Sequence, residues 1–371
     1  MFSASLLRFY SVARKEFLHI LRDPMTLFFT LFIPICEMFM LGYAIDTNVR
    51  FVRTAVLDLA HTQESQRLLR QFENSKDFLI TMHVQSDEEL QEAIVAGQAR
   101  IGIKIPEDYS RRLVGGQTAQ VLVLVDGSES SIAAEAVNVG NAIALRESLL
   151  TILQDRPLPV EARPRVLFNP DTRSANFFIP GLLVVMCQMM AVMLSATSIV
   201  REKENGTLEQ LFMTPVRATE LILGKLCPYL ALTFVEFFSI SFLMRTVFQV
   251  PIHGVFLTLI TIMFPFVLAM LGLGLWVSTK ASTRDAAMQI SMGTVIPSIF
   301  LSGYVFPLDS MPLFFWYLAQ LIPTTWMIDA ARGVILRGAG FFELRMHLMV
   351  LWGMAIVFLT FSTLRFHKRL A

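Results

Sequence analysis

Charged residues are scarce in this sequence: Asp, Glu, Lys and Arg make up 16% of the chain, against about 25% in soluble domains. Hydrophobic residues make up 54%, and the mean hydropathy is +0.57. The formal net charge of +1 provides no basic field, which leaves nucleic-acid binding without electrostatic support. The composition therefore predicts an integral membrane protein.

Cysteine is also scarce, and familiar catalytic motifs are absent from the sequence. The three cysteines, Cys36, Cys187 and Cys227, lie inside apolar runs, which excludes a disulfide framework and a CxxC metal site. No GxxxxGK[ST], HExxH or GxSxG motif occurs, and the six histidines are scattered. We therefore expect no catalytic site, no metal site and no cofactor bound by this chain.

Apolar runs of about 20 residues, the length that crosses a bilayer, recur along the chain. The first covers residues 24–45. It is longer than the roughly 7–15-residue core of a signal peptide and contains Pro34 and Glu37, which favours an uncleaved span. Five further spans are predicted at residues 176–200, 221–245, 255–278, 286–305 and 346–364.

Two shorter segments have patterns typical of membrane surfaces and membrane-embedded loops. Residues 1–23 alternate apolar residues with Arg and Lys, which predicts a basic amphipathic helix in the cytoplasmic interface. Residues 306–343 contain three prolines yet are too apolar for a free loop. Irregular chain at membrane depth must be buried by protein or line a cavity, so we predict a re-entrant hairpin on the outer side.

Residues 46–175 have the composition of a soluble domain of ordinary size. Strand-like runs alternate there with helical patterns, which predicts an α/β domain. This domain could be a docking or gating module, or it could be a structural cap. The predicted strands are 53–59, 78–84, 99–105 and 120–125, and the predicted helices are 63–73, 87–96 and 130–153.

The distribution of Lys and Arg sets the orientation of this mainly helical polytopic protein. With six spans and both termini cytoplasmic, including the tail 365–371, most basic residues of the short connections lie inside. The α/β domain then lies outside, in a periplasmic or extracellular position. The expected location is the cell inner membrane.

The longest charged insertion between two spans is the stretch 201–225, REKENGTLEQLFMTPVRATELILGK. Gly206 permits a change of direction, and Thr207 can cap a short helix over 208–213 that ends at Thr214-Pro215. A short helix fused to two spans can act as a lever, although an ordinary loop fits the spacing as well.

This stretch resembles the signature of ABC-2 type transporter permeases, in the multidrug-export branch with a large external domain between spans one and two. The matching pattern is ExExGTLExLxxTPxR, and the N-terminal RKEFLHILRDP is similar to the family's connecting helix. The resemblance implies a six-span, type V exporter-like fold in which residues 201–220 form the coupling helix. The residues that it assigns to coupling are Glu202, Glu204, Gly206, Thr207, Glu209, Leu211, Pro215, Arg217 and Lys225.

The resemblance implies that the chain is the permease subunit of an ATP-driven exporter of amphiphilic or hydrophobic molecules. A separate ABC ATP-binding subunit would bind ATP and Mg²⁺, and a second permease copy or a paralogue would complete the path. A periplasmic adaptor (membrane-fusion) protein is a further candidate partner. The chain would not itself be an enzyme.

Ionisable residues inside spans are functional candidates because charge in hydrocarbon is costly. Glu37 and Glu236 could meet a substrate or a proton, or be structural carboxyls. By contrast, Asp329 and Arg332 are expected to pair with each other on one short helix. The candidate substrate path comprises Glu37, Met186, Gln188, Met189, Met193, Glu236, Met292, Phe300 and Phe306.

Two alternatives come from other classes of protein. A non-transporting receptor or sensor would bind a ligand in the external domain and signal through the cytoplasmic stretch. A polytopic membrane enzyme would use Glu37 and Glu236 for chemistry without an ATPase partner.

Overall fold

The computed structural model describes residues 2–44, 51–75, 77–126, 130–153, 167–170, 173–207 and 217–367. The chain divides into two compact units, residues 1–45 with 167–371, and residues 46–166. We call the first the membrane unit and the second the α/β unit. In chain order the helices and strands are α1 Phe2–Leu21, α2 Pro24–Ala44, β1 Val52–Asp58, α3 Gln63–Asn74, β2 Phe78–His83, α4 Asp87–Val95, β3 Ile101–Ile105, α5 Tyr109–Val114, β4 Leu122–Val125, α6 Ser130–Leu153, α7 Ser174–Glu204, α8 Ala218–Thr246, α9 Phe256–Lys280, α10 Arg284–Leu301, α11 Leu313–Gln320, α12 Pro323–Arg332 and α13 Arg345–His367.

Long apolar helices dominate the membrane unit, so the prediction of a mainly helical membrane protein is confirmed. In the described part of the chain, four helical segments are long and apolar enough to cross a membrane: Ser174–Glu204, Thr219–Thr246, Phe256–Lys280 and Arg345–Leu364. Within α2 the apolar helical segment is shorter, Leu31–Met40. Helix α10 has 18 residues and begins with Arg284 and Asp285. The count of six spans therefore stays a prediction.

Helix α7 is the centre of the membrane unit. It packs against α2, α8, α9, α10 and α12, and 72% of its most apolar stretch of 18 residues is buried. Gly274 of α9 lies so close to α7 that a Cβ there would be 1.9 Å from the Ser195 hydroxyl and 2.4 Å from the Val192 carbonyl oxygen. The missing side chain therefore allows α7 and α9 to pack backbone against backbone.

Short elements lie between α10 and α13, in the segment for which a re-entrant hairpin is predicted. They are a 3₁₀ turn at Leu308–Ser310, helices α11 and α12, and a π-helical turn at Gly333–Arg337. Pro312 directly precedes α11, and Pro323 is the first residue of α12, a position where its missing N–H costs nothing. How deep these short helices lie in a membrane stays a prediction.

The α/β unit contains a four-stranded sheet in the order β2-β1-β3-β4. Strand β1 pairs in parallel with β2 and β3, and β4 is antiparallel to β3. Successive side chains point to opposite faces of a strand. Accordingly Val56 packs towards α3, α5 and α6, while Leu57 packs towards α4. Each face thus has its own buried apolar cluster.

Candidate functional site

The two ends of the stretch 201–225 come together in the membrane unit. Helix α7 ends just after Glu202, α8 begins at Ala218, and the two helices pack along each other. The predicted helix 208–213 and three predicted coupling residues, Glu209, Leu211 and Pro215, lie outside the described residues.

A buried lysine joins both ends of this stretch to the N-terminal helix. The Nζ atom of Lys225 on α8 lies 2.9 Å from Oε1 of Glu16 on α1 and 3.0 Å from Oε1 of Glu202 on α7. Lys225 is 1% exposed, Glu16 5% and Glu202 6%. The Tyr229 hydroxyl donates to the other carboxylate oxygen of Glu16 over 3.3 Å. We call Glu16, Glu202 and Lys225 the three-helix node.

Helix α1 makes further polar contacts at the same end of the bundle. Lys15 lies 3.0 Å from Glu202, so that carboxylate contacts two ammonium groups. Glu220, in the first turn of α8, accepts from the Ser5 hydroxyl over 2.5 Å and lies 3.1 Å from Nε of Arg8. Helix α1 is therefore bound to both helices that flank the stretch.

Gly206 ends α7 in the way that the sequence predicts. Its φ of +67° is left-handed, which glycine adopts without strain. Thr207 N–H donates to the Glu202 carbonyl and Gly206 N–H to the Lys203 carbonyl, which together form a Schellman motif. The Thr207 hydroxyl also donates to the Glu202 carbonyl, over 3.3 Å. Any cap that Thr207 gives to the following helix involves residues outside the described ones.

Glu204 and Arg217 occupy the polar surface near this node. Glu204 accepts from the Arg284 backbone N–H over 2.8 Å, and its Oε2 lies 2.9 Å from the Arg284 Nε. This pair links the end of α7 to the start of α10. Arg217 is exposed just before α8, and its backbone N–H donates to the Glu220 carboxylate over 3.0 Å. The Arg217 side chain is thus exposed at the start of α8 in the described part of the chain.

The predicted substrate-path residues fall into a buried group and an exposed group. Gln188 is 1% exposed, donates to the Ser298 hydroxyl over 2.7 Å and accepts from the Thr324 hydroxyl over 2.6 Å. It therefore cross-links α7, α10 and α12. Met186 is buried beside it, while Met189 and Met193 are partly buried.

The exposed group lies along one face of α10 and just beyond it. Met292 is 37% exposed, Phe300 48% and Phe306 53%. The rings of Phe300 and Phe306 stack with centroids 6.3 Å apart. These side chains form an apolar surface and do not line the interior of a single chain.

The two glutamates of the predicted substrate path differ in exposure. Glu236 on α8 is 1% exposed, and Glu37 on α2 is partly buried. Both carboxyl oxygens of Glu236 are buried without a hydrogen-bond partner among the described residues. Glu236 is therefore buried and unsatisfied among the described residues, whereas Glu37 keeps part of its surface exposed.

The expected pair of Asp329 with Arg332 is not formed. Asp329 instead lies 3.0 Å from Arg337 and 2.8 Å from the Nε2 atom of His347. Arg332 turns away from it and donates to the carbonyls of Phe177 and Gly303, with its guanidinium 3.7 Å from the centre of the Phe177 ring. These acceptors lie on other elements, which the helical spacing of Asp329 and Arg332 could not show.

Glu16 is the main residue of the three-helix node that the sequence did not predict. It is the single acidic residue in α1, among several Arg and Lys residues. That isolation was a usable signal, because a lone acid on a basic helix needs a reason to be there. Tyr229, Ser298 and Thr324 gave no comparable signal.

Comparison with known proteins identifies the family of the chain. The family model described as "ABC-2 family transporter protein" matches residues 24–364. The chain is 28% identical over 369 residues to the probable multidrug ABC transporter permease YbhS of Escherichia coli strain K12, covering 96% of each chain. It is 26% identical over 334 residues to the probable multidrug ABC transporter permease YbhR of that strain, covering 90% of each. It is 24% identical over 363 residues to the inner membrane transport permease YhhJ, also of that strain, covering 97% of this chain and 96% of the relative. These names favour a transport subunit over a receptor or an enzyme.

Proposed function

The chain belongs to the ABC-2 family of transporter proteins, and from that membership we propose that it is the permease of an ATP-driven exporter powered by a separate ATPase subunit. The observation that carries the proposal is the three-helix node at both ends of the stretch 201–225. A buried cation shared by three helices makes their ends move together, because separating any pair would leave a charge unpaired in a dry site.

The coupling mechanism follows from these contacts. ATP binding would draw two partner ATPases together and push on residues 208–216 of each permease. The displacement of these residues would be transmitted to α7 through Glu202 and to α8 through Lys225. Helix α1 would move with them because Glu16 contacts Lys225. Glu204 would carry the displacement on to α10 through Arg284. A two-state rearrangement of packed helices is the usual way in which such a local push opens a path.

The proposed orientation places the node and the stretch 201–225 in the cytoplasm and the α/β unit outside. Among the described residues, Arg8, Lys15 and Arg284 contact acidic side chains at this end of the bundle, in keeping with the positive-inside rule. Leu7, Tyr10 and Phe17 of α1 are 65%, 60% and 48% exposed, as suits a helix that rests in the membrane interface.

A second copy or a paralogue would complete the path by packing on the apolar surface of α10. Exposed Met292, Phe300 and Phe306 would then face the partner chain or the transported molecule. Such a surface suits an amphiphilic or hydrophobic substrate, since methionine and phenylalanine adapt to varied apolar shapes. The α/β unit and the segment 306–343 would gate the exit, with a periplasmic adaptor as a further partner.

Site-specific photo-crosslinking tests the proposal. A photoreactive amino acid at Arg217 should capture a co-expressed ABC ATPase subunit, and the intact permease should stimulate the ATP turnover of that subunit. The matched control places the same photoreactive amino acid at position 249, in exchange for Gln249, beyond the other end of α8. This variant should not capture the ATPase. Capture at Gln249, or no capture at Arg217 together with no stimulation, would contradict the proposal.

A further inference from the structure

The α/β unit contains a cavity of about 600 Å³ on the sheet face that α3, α5 and α6 cover. Pockets that bind small molecules usually measure about 300–1,000 Å³ and are lined mainly by apolar side chains with a few polar groups. Val137 lines the cavity and is 51% exposed, so the cavity is open to solvent and a ligand can enter. All the lining residues belong to the α/β unit.

The cavity exists because α6 presents small residues to the sheet. Ala136, Gly140 and Ala144 recur at every fourth position, which places them on one face of the helix, and all three line the cavity. Gly140 is buried, yet a Cβ added there would meet no atom within 4 Å. Val123 and Val125 of β4 also line the cavity and are only partly buried. Helix α6 and strand β4 therefore leave apolar surface that their own side chains do not cover.

The charge in the cavity is negative. Among the described residues that line it, Glu147 on α6 is the single charged one, and it is 7% exposed. Its carboxylate accepts from Nε2 of Gln71 and lies 3.7 Å from Nε of Arg67, whose side chain is 60% exposed. A carboxylate can accept from several donors at once, so an ammonium group in the cavity can join these two. An anion there would meet a like charge.

We propose that this cavity is a binding site for an amphiphile with an apolar body and an amine head group. The apolar body lies beside Gly140 and the valines of β4, and the ammonium group donates to Glu147. Burial of the body supplies affinity, and the carboxylate selects a cation over an anion. The site is independent of export: only the identification of this amphiphile with an exported molecule rests on the proposed function.

Photoaffinity labelling of the full chain in nanodiscs of zwitterionic lipid, without any ATPase, tests this site. The probe is decylamine with a diazirine on its chain, and mass spectrometry of peptides locates the adducts. Adducts should form on α6 and β4, and excess decylamine should suppress them. Decanoate with the same diazirine should label these elements several-fold less. Labelling confined to the membrane unit, or equal labelling by the amine and the carboxylate, would overturn the proposal.

Gly140→Leu tests the shape of the site, because the new side chain occupies the space beside α6. It should abolish labelling of α6 and β4 by the amine. The matched control is Ala142→Leu, at an exposed position of the same helix outside the cavity lining, and it should keep the labelling.

Glu147→Gln tests the charge and preserves the shape of the side chain. It should reduce labelling by the amine several-fold and leave labelling by the corresponding decanol probe unchanged. Glu73→Gln, at an exposed acid on α3, is the control and should alter neither. Amine labelling that is unchanged in Gly140→Leu or in Glu147→Gln would contradict the proposal. Neither result bears on capture of the ATPase at Arg217, so the two proposals fail separately.

Discussion

At the scale of single residues, Lys225 is a fully buried lysine that contacts two carboxylates. Glu16 and Glu202 together carry two negative charges against its one, and Lys15 at the protein surface provides the second positive charge. Buried ion pairs contribute little net stability but are costly to break, because the remaining charge stays in the dry site. The three-helix node therefore fixes how α1, α7 and α8 are arranged, and it adds little to the net stability of the fold.

Replacing Lys225 should be far more damaging than replacing Lys15. Lys225→Met leaves Glu16 and Glu202 without their central cation, and breaking a buried pair in this way costs about 3–5 kcal/mol. Lys15→Met removes a cation whose side chain is 57% exposed, for which under about 1 kcal/mol is expected. Thermal unfolding of both variants in nanodiscs measures the difference. Equal losses would mean that the node does not hold the helices together.

Asp329 should make part of the folding stability depend on pH in the acid range. It lies outside the helices that are long enough to cross a membrane, and its pKa is lowered to about 2, first by the hydrogen bond from His347 and then by Arg337. A lowered folded-state pKa gives stability that is complete above the ordinary aspartate pKa of about 4 and lost as the pH falls towards 2.

The corresponding measurement compares unfolding temperatures of the wild type and Asp329→Asn across this range. The wild type should be the more stable at neutral pH, and the difference should vanish between about pH 4 and pH 2. Asp309→Asn, at an exposed carboxylate, is the control and should behave like the wild type at every pH. A difference that persists in acid would show that Asp329 acts through shape and not through charge.

At the scale of elements, the periodicity of apolar residues in the sequence predicted most of the helices and strands. The four predicted strands are confirmed within two residues at either end, as are the predicted helices of the α/β unit. This success has a physical reason: alternation and helical spacing are local properties of the chain. Helix α5, six residues long, was missed because such a short segment has too little periodicity to detect.

Contacts between distant residues could not be predicted in the same way. Glu16 and Lys225 are 209 positions apart, and His347 reaches Asp329 from another helix. The sequence indicated that Lys225 and Glu202 matter, through the family signature, but gave no means of finding their partners. The same limit explains the mistaken pairing of Asp329 with Arg332, which relied on helical spacing alone.

The contact between α7 and α9 should be sensitive to one methyl group. Gly274→Ala places a Cβ against the Val192 carbonyl, a backbone atom that cannot turn aside, so the helices must separate. We expect a clear fall in unfolding temperature and in monodisperse yield. Gly293→Ala on α10 is the control, because a Cβ there meets nothing within 4 Å. It should be neutral or slightly stabilising, by up to about 1 kcal/mol.

The pair that joins α7 to α10 should affect coupling more than folding. Arg284→Glu puts two carboxylates together at the Glu204 contact, so we expect weaker stimulation of the partner ATPase by an amphiphile. The double variant Glu204→Arg with Arg284→Glu restores opposite charges and should recover part of that stimulation. Asp285→Arg, at the next exposed position, is the control. No recovery in the double variant would argue against this route.

At the scale of the whole molecule, each of the two units has its own apolar core. The α/β unit buries clusters on both faces of its sheet, and the membrane unit buries another around α7. Family membership and the mainly helical architecture were both predicted and are confirmed. Orientation, span number and the role of the α/β unit stay predictions, because they depend on the lipid and on partner chains.

The membrane unit should fold without the α/β unit. Replacing residues 46–166 by a flexible Gly/Ser linker removes one compact unit and leaves the core around α7 intact. The shortened chain should insert, remain monodisperse in detergent and still bind the ATPase. Its unfolding temperature tests whether it folds, and its copurification with the ATPase tests whether it still binds that partner. Aggregation after insertion would indicate that the α/β unit is needed for folding.

The three-helix node also sets an order of events during synthesis. Glu16 leaves the ribosome 209 residues before Lys225, a delay of about 10–40 s at 5–20 residues per second. Throughout that interval Glu16 lacks its buried cation, so α1 cannot take its final place while the α/β unit and α7 are made. A helix that is translated before the α/β unit is thus among the last to take its final place.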